Sequence, residues 1–314
     1  MPQVRIITWN TQLMPLAALP VASTEAAEQH RAASMLTRLL HPDTAPQLLC
    51  LQEVFDEARQ VQLANGLTGY WRDPRHASSD LSPEDSGLFF ASRFPIIDGS
   101  IRFREFNASG PITDSDHFAD KGIAGALLRV TNGPLGKQLW VFNTHLHAES
   151  RHTRHRQLEE ARAFICRALR STRALERTAA VLCGDLNISE GHGPGGPNAE
   201  YLAMMETLGA PRDLFREAHP NPAAEPGYTW DAALNINRVD RSYRKFDDKG
   251  HITWARRERL DYVLAFDAVP TPGHDRPRLP LHPVKLSAAT VRPLSDKVND
   301  HLSDHFAVQI DFEL

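Results

Sequence analysis

The chain has 314 residues, 24% of them charged, and a formal net charge of -4, long enough to bury the core of one large domain or two ordinary ones. Its charge balance argues against a broad basic track for nucleic acid, although a local patch remains compatible with it. No stretch reaches the roughly 18 consecutive apolar residues of a membrane span, and Cys50, Cys166 and Cys183 make no pattern of a disulfide scaffold.

The opening "MPQVRIITWN" enters an apolar run at once and resembles no secretory signal. As written the protein is expected in the cytoplasm; a trimmed start would imply a secreted one. Short runs rich in β-branched and aromatic residues recur at 4–9, 48–51, 87–92, 125–130, 139–143, 179–184, 260–266 and 305–312. They predict strands, several continuous enough to be central. Helical periodicity covers 24–40, which opens at Ser23 or Thr24 and repeats Ala27, Met35, Leu36, Leu39 and Leu40. A second helix is predicted over 154–175, with Leu158, Ala161, Ile165, Ala168 and Leu169 on one stripe. The turn-rich "GHGPGGP" at 191–197 lacks the lysine of a P-loop. Residues 267–283 read as an irregular insertion between two strands. With no repeat and no linker, one domain over 1–314 is expected. Strands exceed long helices in number, which fits two packed sheets with helices outside.

Polar residues stand where these apolar runs stop. Asn10 follows "IITW", Glu53 follows "LLCLQ", and His145 follows "VFNT". Asp185 and Asn187 follow "VLCG", Asp261 lies in "RLDYVL", and Asp304–His305 precede the last strand. Each has a bland explanation: Asn10 as a turn former, Glu53 in a helix cap, "GDLN" as an Asx turn, Ser303–Asp304–His305 as a polar edge. Together they predict one rim carrying oxygen ligands beside imidazoles, a composition suited to Mg²⁺ or Mn²⁺. His145 and His147 would point the same way from an extended segment and could make a zinc pair. No cysteine or H-E-x-x-H arrangement accompanies them, and His152 and His155 fall at a helix start.

The ordered set "TWN" (8–10), "LQEVF" (51–55), "NTHLHAE" (143–149), "CGDLN" (183–187), "RLDYVL" (259–264) and "SDHFAV" (303–308) resembles the endonuclease/exonuclease/phosphatase superfamily across nearly the whole chain. The fold this implies is a four-layered α/β sandwich, two central mixed β-sheets flanked by helices, with the site at the rim. Within the superfamily the sequence is similar to neutral and bacterial sphingomyelinases. "YTWDAALN" (228–235) and "DSDHFADKG" (114–122) carry that similarity, the second placing Asp116 and Lys121 as the family's Asp–Lys pair. The departure is at 267–283. Secreted bacterial sphingomyelinases insert a hairpin with exposed aromatics there, whereas no Trp, Tyr or Phe stands between Asp267 and Pro283 here.

The resemblance implies a Mg²⁺-dependent phosphodiester hydrolase, with Mn²⁺ as a substitute. The expected reaction is of the phospholipase C type, releasing phosphocholine from sphingomyelin or a related phospholipid. The alternative is a metal-dependent nuclease acting on DNA or RNA, for which "RHTRHR" (151–156) would supply cations. Glu53, Asn10 and Asp304 are the expected metal region. His305 is the expected base or proton shuttle, oriented by Asp261. Asp185 and Asn187, two apart on one side of an extended loop, would bind metal or water and donate to phosphate. His145 would serve the phosphate or leaving group, and Lys121 would add positive charge; without the resemblance Lys121 reads as a surface lysine. His147 is expected to support its loop. Tyr228 and Trp230 line a head-group pocket or pack a loop, and Trp9 is expected in the core. A monomer with weak or transient membrane contact completes the expectation.

Overall fold

The structure is a computed structural model describing residues 2–19, 22–72, 86–109, 121–133, 135–191, 197–271 and 279–314. Asp116 and residues 272–278 of the insertion lie outside the described residues.

The first six-stranded sheet contains β1 (Gln3–Leu13), β2 (Leu48–Val54), β3 (Trp71–Arg72), β4 (Phe89–Ser92), β15 (Lys285–Arg292) and β16 (Ala307–Glu313). Their spatial order is β15-β16-β1-β2-β4-β3, with β1 and β2 parallel and the other pairs antiparallel. The second contains β5 (Arg102–Glu105), β6 (Gly122–Arg129), β7 (Gln138–His145), β8 (Thr178–Asp185), β9 (Arg212–Asp213) and β14 (Asp261–Phe266). It is ordered β5-β6-β7-β8-β14-β9, with β7 and β8 parallel. Two small ribbons, β10 (Trp230–Asp231) with β13 (Arg257–Glu258) and β11 (Arg244–Phe246) with β12 (Ile252–Ala255), stand outside the sheets.

Alternation of side chains along each strand builds the layers. Val4, Ile6, Leu48, Cys50, Leu139, Val141, Val181, Cys183, Val263 and Val308 face inward and form the core between the sheets. The opposite parity, Ile7, Trp9, Leu49 and Leu51, packs beneath α1 (Glu25–Leu40) and α2 (Glu57–Gly66). Trp140, Phe142, Leu182 and Tyr262 pack beneath α3 (Arg151–Arg170) and α4 (Ala199–Thr207). A short α5 (Leu214–Ala218) adds to the central core. The helix–sheet–sheet–helix sandwich therefore has the expected fold, and Trp9 lies in the core.

Several boundaries differ. α3 begins at Arg151, where Ser150 caps it by accepting from the Thr153 amide, and ends at Arg170; Leu175 belongs to a separate 3-10 turn. β15 escapes the hydrophobic pattern because it is an edge strand with a single fully buried residue, Ala289. In α1, Arg31 occupies the buried stripe between Glu28 and Met35, a charged residue in an apolar pattern.

Candidate active site at the polar end of the sandwich

The inward parity that fills the core becomes polar at one end of the strands. Val4 and Ile6 are continued by Thr8 and Asn10, and Leu48 and Cys50 by Gln52. Leu139 and Val141 are followed by Asn143 and His145, and Val181 and Cys183 by Asp185; these polar residues are all buried. Gln52 Nε2 donates to Asn143 Oδ1 at 2.7 Å and Thr8 Oγ1 at 3.1 Å, a polar floor joining the sheets. Above it, register aligns His145, Asp185 and Asp261 in one row across β7, β8 and β14.

That row requires Gly184. Its φ is +147°, and a Cβ there would stand 1.9 Å from the Thr144 carbonyl oxygen. Glu53 and Asn187, with φ of 54° and 50°, adopt left-handed conformations uncommon for non-glycine residues. At Glu53 this breaks the strand alternation; Asn10 Nδ2 donates to Glu53 Oε1 and Asp185 Oδ2, both at 3.0 Å. At Asn187 it corrects the expected extended geometry. The Asn187 amide donates to Asp185 Oδ1 at 2.9 Å, closing an Asx turn, while its side chain approaches His145 Nε2 at 3.1 Å. The bland turn and the candidate site cluster are the same object.

His305 Nδ1 is 2.8 Å from Asp261 Oδ2, and its Nε2 is 3.6 Å from Asp185 Oδ2. Lys121 Nζ lies 3.1 and 2.9 Å from His145 Nδ1 and Nε2. Lys121 is buried rather than on the surface. His145 Nε2 is also 3.5 Å from Asp185 Oδ2 and 3.9 Å from Glu53 Oε1. Asp304 is half-buried and accepts from Ser303 Oγ at 3.2 Å, while the same hydroxyl contacts the Asn10 carbonyl at 2.6 Å.

Electrostatics in the cluster follow from burial. Burial first, and then the Asp304 charge, push the Glu53 carboxyl up to about 7. Burial likewise pushes Asp185 up to about 6, against the opposing His305 charge. Burial favours a neutral His305, but Asp261 and Asp185 outweigh it and hold the imidazole protonated well above its usual range. Asp261 Oδ1 is buried without a hydrogen-bond partner. Oxygen donors with elevated protonation and a stranded carboxylate oxygen fit a hard divalent cation. Asp185, Asp261 and His305 also offer ligand atoms within 4.8 Å of one another.

The other expected residues lie around this group. His147 does not continue β7 beside His145; its Nδ1 accepts from the Glu149 and Ser150 amides and shapes the turn into α3. Trp230 bridges to His305 through the backbone and packs against Tyr243, 5.0 Å between ring centroids. Tyr228 is half-buried in the segment entering β10. Within "RHTRHR", Arg154 is buried against Glu200, so it faces the fold rather than solvent.

Sequence reasoning missed the residues that hold the rim together. Buried Arg31 donates to the Thr11 and Leu302 carbonyls at 2.7 Å and to Gln12 at 2.6 Å, joining the segments of Asn10 and His305. Thr229 Oγ1 accepts from the Leu260 and Asp261 amides. Arg259 pairs with Glu190 and Asp213 beneath the Asn187 loop. Arg31 had a visible signal, its place in the apolar stripe of α1; Thr229 had none.

A family model described as "Endonuclease/Exonuclease/phosphatase family" matches residues 7–305. Sphingomyelin phosphodiesterase 3 of Rattus norvegicus is 30% identical over 249 residues, covering 72% of this chain and 35% of that protein. The chain thus spans about a third of that relative's length. Sphingomyelinase C of Bacillus cereus is 23% identical over 287 residues, covering 83% of this chain and 76% of its own. A Staphylococcus aureus beta toxin variant with bound magnesium ions superposes with a TM-score of 0.65 at 17% identity, covering 98% of this chain and 99% of its own.

Proposed function

The chain belongs to the endonuclease/exonuclease/phosphatase family, and from that premise we propose that it is a Mg²⁺-dependent phosphodiesterase of the sphingomyelinase type. It hydrolyses sphingomyelin or a related phospholipid and releases phosphocholine. The observation that supports this reading is the juxtaposition of two groups: the Asp261–His305 pair at 2.8 Å with Asp185 beside it, and a nitrogen-rich flank of Lys121, His145 and Asn187. Phospholipid-acting relatives favour the lipid over the nuclease alternative.

Glu53, Asn10 and Asp304 would hold the cation, with Asp185 adjoining. When bound, Mg²⁺ supplies positive charge for the phosphoryl oxygens and acidity for a water. Asp261 fixes the His305 ring through Nδ1 and leaves Nε2 for the attacking water. With Asp185 and Asp304 neutralised by a bound cation, the proton affinity of His305 would fall and its Nε2 would be free to take the water's proton. Lys121, His145 and Asn187 place donors around the phosphate on the opposite flank. Transition-state charge gathers where those donors already point. His145 is the group positioned to protonate the leaving alkoxide.

The test is a chelated enzyme supplied in turn with Mg²⁺, Mn²⁺ or Zn²⁺, assayed on detergent-dispersed sphingomyelin, lysophospholipids, and single- and double-stranded DNA. Restoration by Mg²⁺ or Mn²⁺ with phosphocholine release is expected. Metal-dependent DNA cleavage without lipid turnover would replace the lipid reading with the nuclease. Restoration by Zn²⁺ alone would overturn the magnesium assignment.

A further inference from the structure

Two buried arginines near Asn10 share one carboxylate. Arg31 is 1% exposed and Arg238 7%. Glu28 Oε2 accepts from Arg31 Nε at 2.7 Å, and Glu28 Oε1 faces Arg238 Nη1 at 3.4 Å. Arg31 is otherwise well supplied, with three backbone carbonyls as acceptors. Arg238 is not: its Nη2 is buried without a hydrogen-bond partner, and its one short contact runs from Nε to Gln12 Oε1 at 2.9 Å. Burying a charged group so sparsely paired is unfavourable. The contact it does make is with the residue that sets Asn10.

Gln12 lies in a bulge of β1. Pairing with β2 passes from Asn10 opposite Gln52 to Leu13 opposite Val54, so β1 carries one residue more than its partner across this step. Gln12 absorbs the extra residue at φ +50°, a left-handed conformation uncommon for a residue with a Cβ. It is gripped at two points. Its carbonyl accepts from Arg31 Nη2 at 2.6 Å, and its side chain accepts from Arg238.

The bulge turns the Gln12 amide back toward Asn10, where it donates to Oδ1 at 3.2 Å. That bond fixes the sense of the Asn10 carboxamide. With its oxygen engaged, Nδ2 faces Glu53 Oε1 and Asp185 Oδ2, both at 3.0 Å. The reverse sense would set a carbonyl oxygen against two carboxylates and an N–H against an N–H. Glu53 belongs to the first sheet and Asp185 to the second, and Asn10 Nδ2 bridges them.

We propose that Gln12, clamped by Arg238, is a positioning residue for the cation site: it holds the Asn10 carboxamide in the one sense that keeps Glu53 and Asp185 side by side. The inference rests on the metal-dependent reading of the rim and adds to it a residue pair outside the expected ligands. Arg238 acts only through Gln12, and Gln12 only through Asn10, so the pair governs cation affinity rather than the proton transfers at His305.

The experiment titrates the chelated full chain with Mn²⁺ by calorimetry, with melting temperature and the Mg²⁺ dependence of turnover measured in parallel. Wild type, Gln12→Leu, Gln12→Glu, Arg238→Met and the Gln12→Leu/Arg238→Met double variant are compared. Gln12→Leu keeps the bulk and loses the acceptor; it should weaken Mn²⁺ binding about tenfold, with kcat at saturating Mg²⁺ within about threefold of wild type. Gln12→Glu keeps an acceptor for Arg238 and should bind Mn²⁺ at least as well as wild type. Arg238→Met should match Gln12→Leu, and the double variant should be no weaker than either, because both remove one contact. A merely structural Gln12 would lower melting and leave Mn²⁺ affinity unchanged. Folded Gln12→Leu or Arg238→Met with wild-type affinity, Gln12→Glu as weak as Gln12→Leu, or single effects that multiply in the double variant would each overturn the proposal. If Gln12→Leu does not fold, Arg238→Met decides by the same affinity. Mn²⁺ binding that depends on Gln12 without turnover of any phospholipid would overturn the substrate reading alone, since calorimetry needs no substrate. Wild-type protein that takes up no Mn²⁺ would overturn the cation site and this proposal together.

Discussion

Asp261→Asn removes one charge from the buried pair with little change in shape. In the wild type, Asp261 is nearly inaccessible and its Oδ2 is 2.8 Å from His305 Nδ1. The carboxylate has two tasks in the proposed mechanism: it sets which ring nitrogen carries the proton, and it stabilises the imidazolium formed when water is deprotonated. Two unit charges about 4 Å apart at an effective dielectric near 20 attract by about 4 kcal/mol. At about 1.4 kcal/mol per decade this corresponds to roughly 10³ in rate. Asp185 remains 3.6 Å from Nε2 and compensates in part, so a kcat loss of about 10²- to 10³-fold is expected. The assay is initial rate on detergent-dispersed sphingomyelin at saturating Mg²⁺, with KM and the melting curve as controls. KM should change little, because Asp261 acts through His305. A folded variant with kcat within about threefold of wild type would refute the role given to this pair.

The remaining predictions probe charge, metal and packing. Glu53→Gln should lower kcat and raise the Mg²⁺ concentration at half-maximal rate, about tenfold or more for loss of one carboxylate; a metal titration matching wild type would exclude Glu53 as a ligand. Chelated protein should lose thermal stability as pH rises from about 5 to about 8, and Mg²⁺ should restore much of it. The sign follows from Glu53, Asp185 and His305, all raised in the native state. Groups with raised native values contribute stability at low pH that is lost as they deprotonate; a chelated melting temperature rising over that range would contradict it. Gly184→Ala should destabilise by about 2–4 kcal/mol, because its Cβ would meet backbone rather than a yielding side chain; denaturant unfolding measures this. Arg31→Met should cost about 3–5 kcal/mol by leaving Glu28 and three carbonyls short of a partner, with a larger drop in kcat than in substrate affinity.

The strands of both sheets were legible because their cores alternate or run continuously apolar, and because polar residues interrupt them at one end. That is why Asn10, Glu53, His145, Asp185, Asp261 and His305 read as one group in the sequence. The geometry at Asn187 was not legible: spacing cannot distinguish an extended pair from a left-handed turn. His147 was misleading for a related reason, since alternation applies only while the strand continues, and β7 ends at His145. β15 was hidden by its exposure, and Thr229 by the ordinariness of a threonine whose hydroxyl happens to hold two amides of another segment.

Hydrolysis of detergent-dispersed sphingomyelin in ¹⁸O-labelled water tests the central claim most directly. Attack on phosphorus by a water that His305 deprotonates places one heavy oxygen in phosphocholine and none in ceramide, only when Mg²⁺ is present, and His305→Ala abolishes the labelled product. Heavy oxygen in the ceramide hydroxyl, unchanged labelling by folded His305→Ala, or no lipid product beside metal-dependent cleavage of DNA would contradict it.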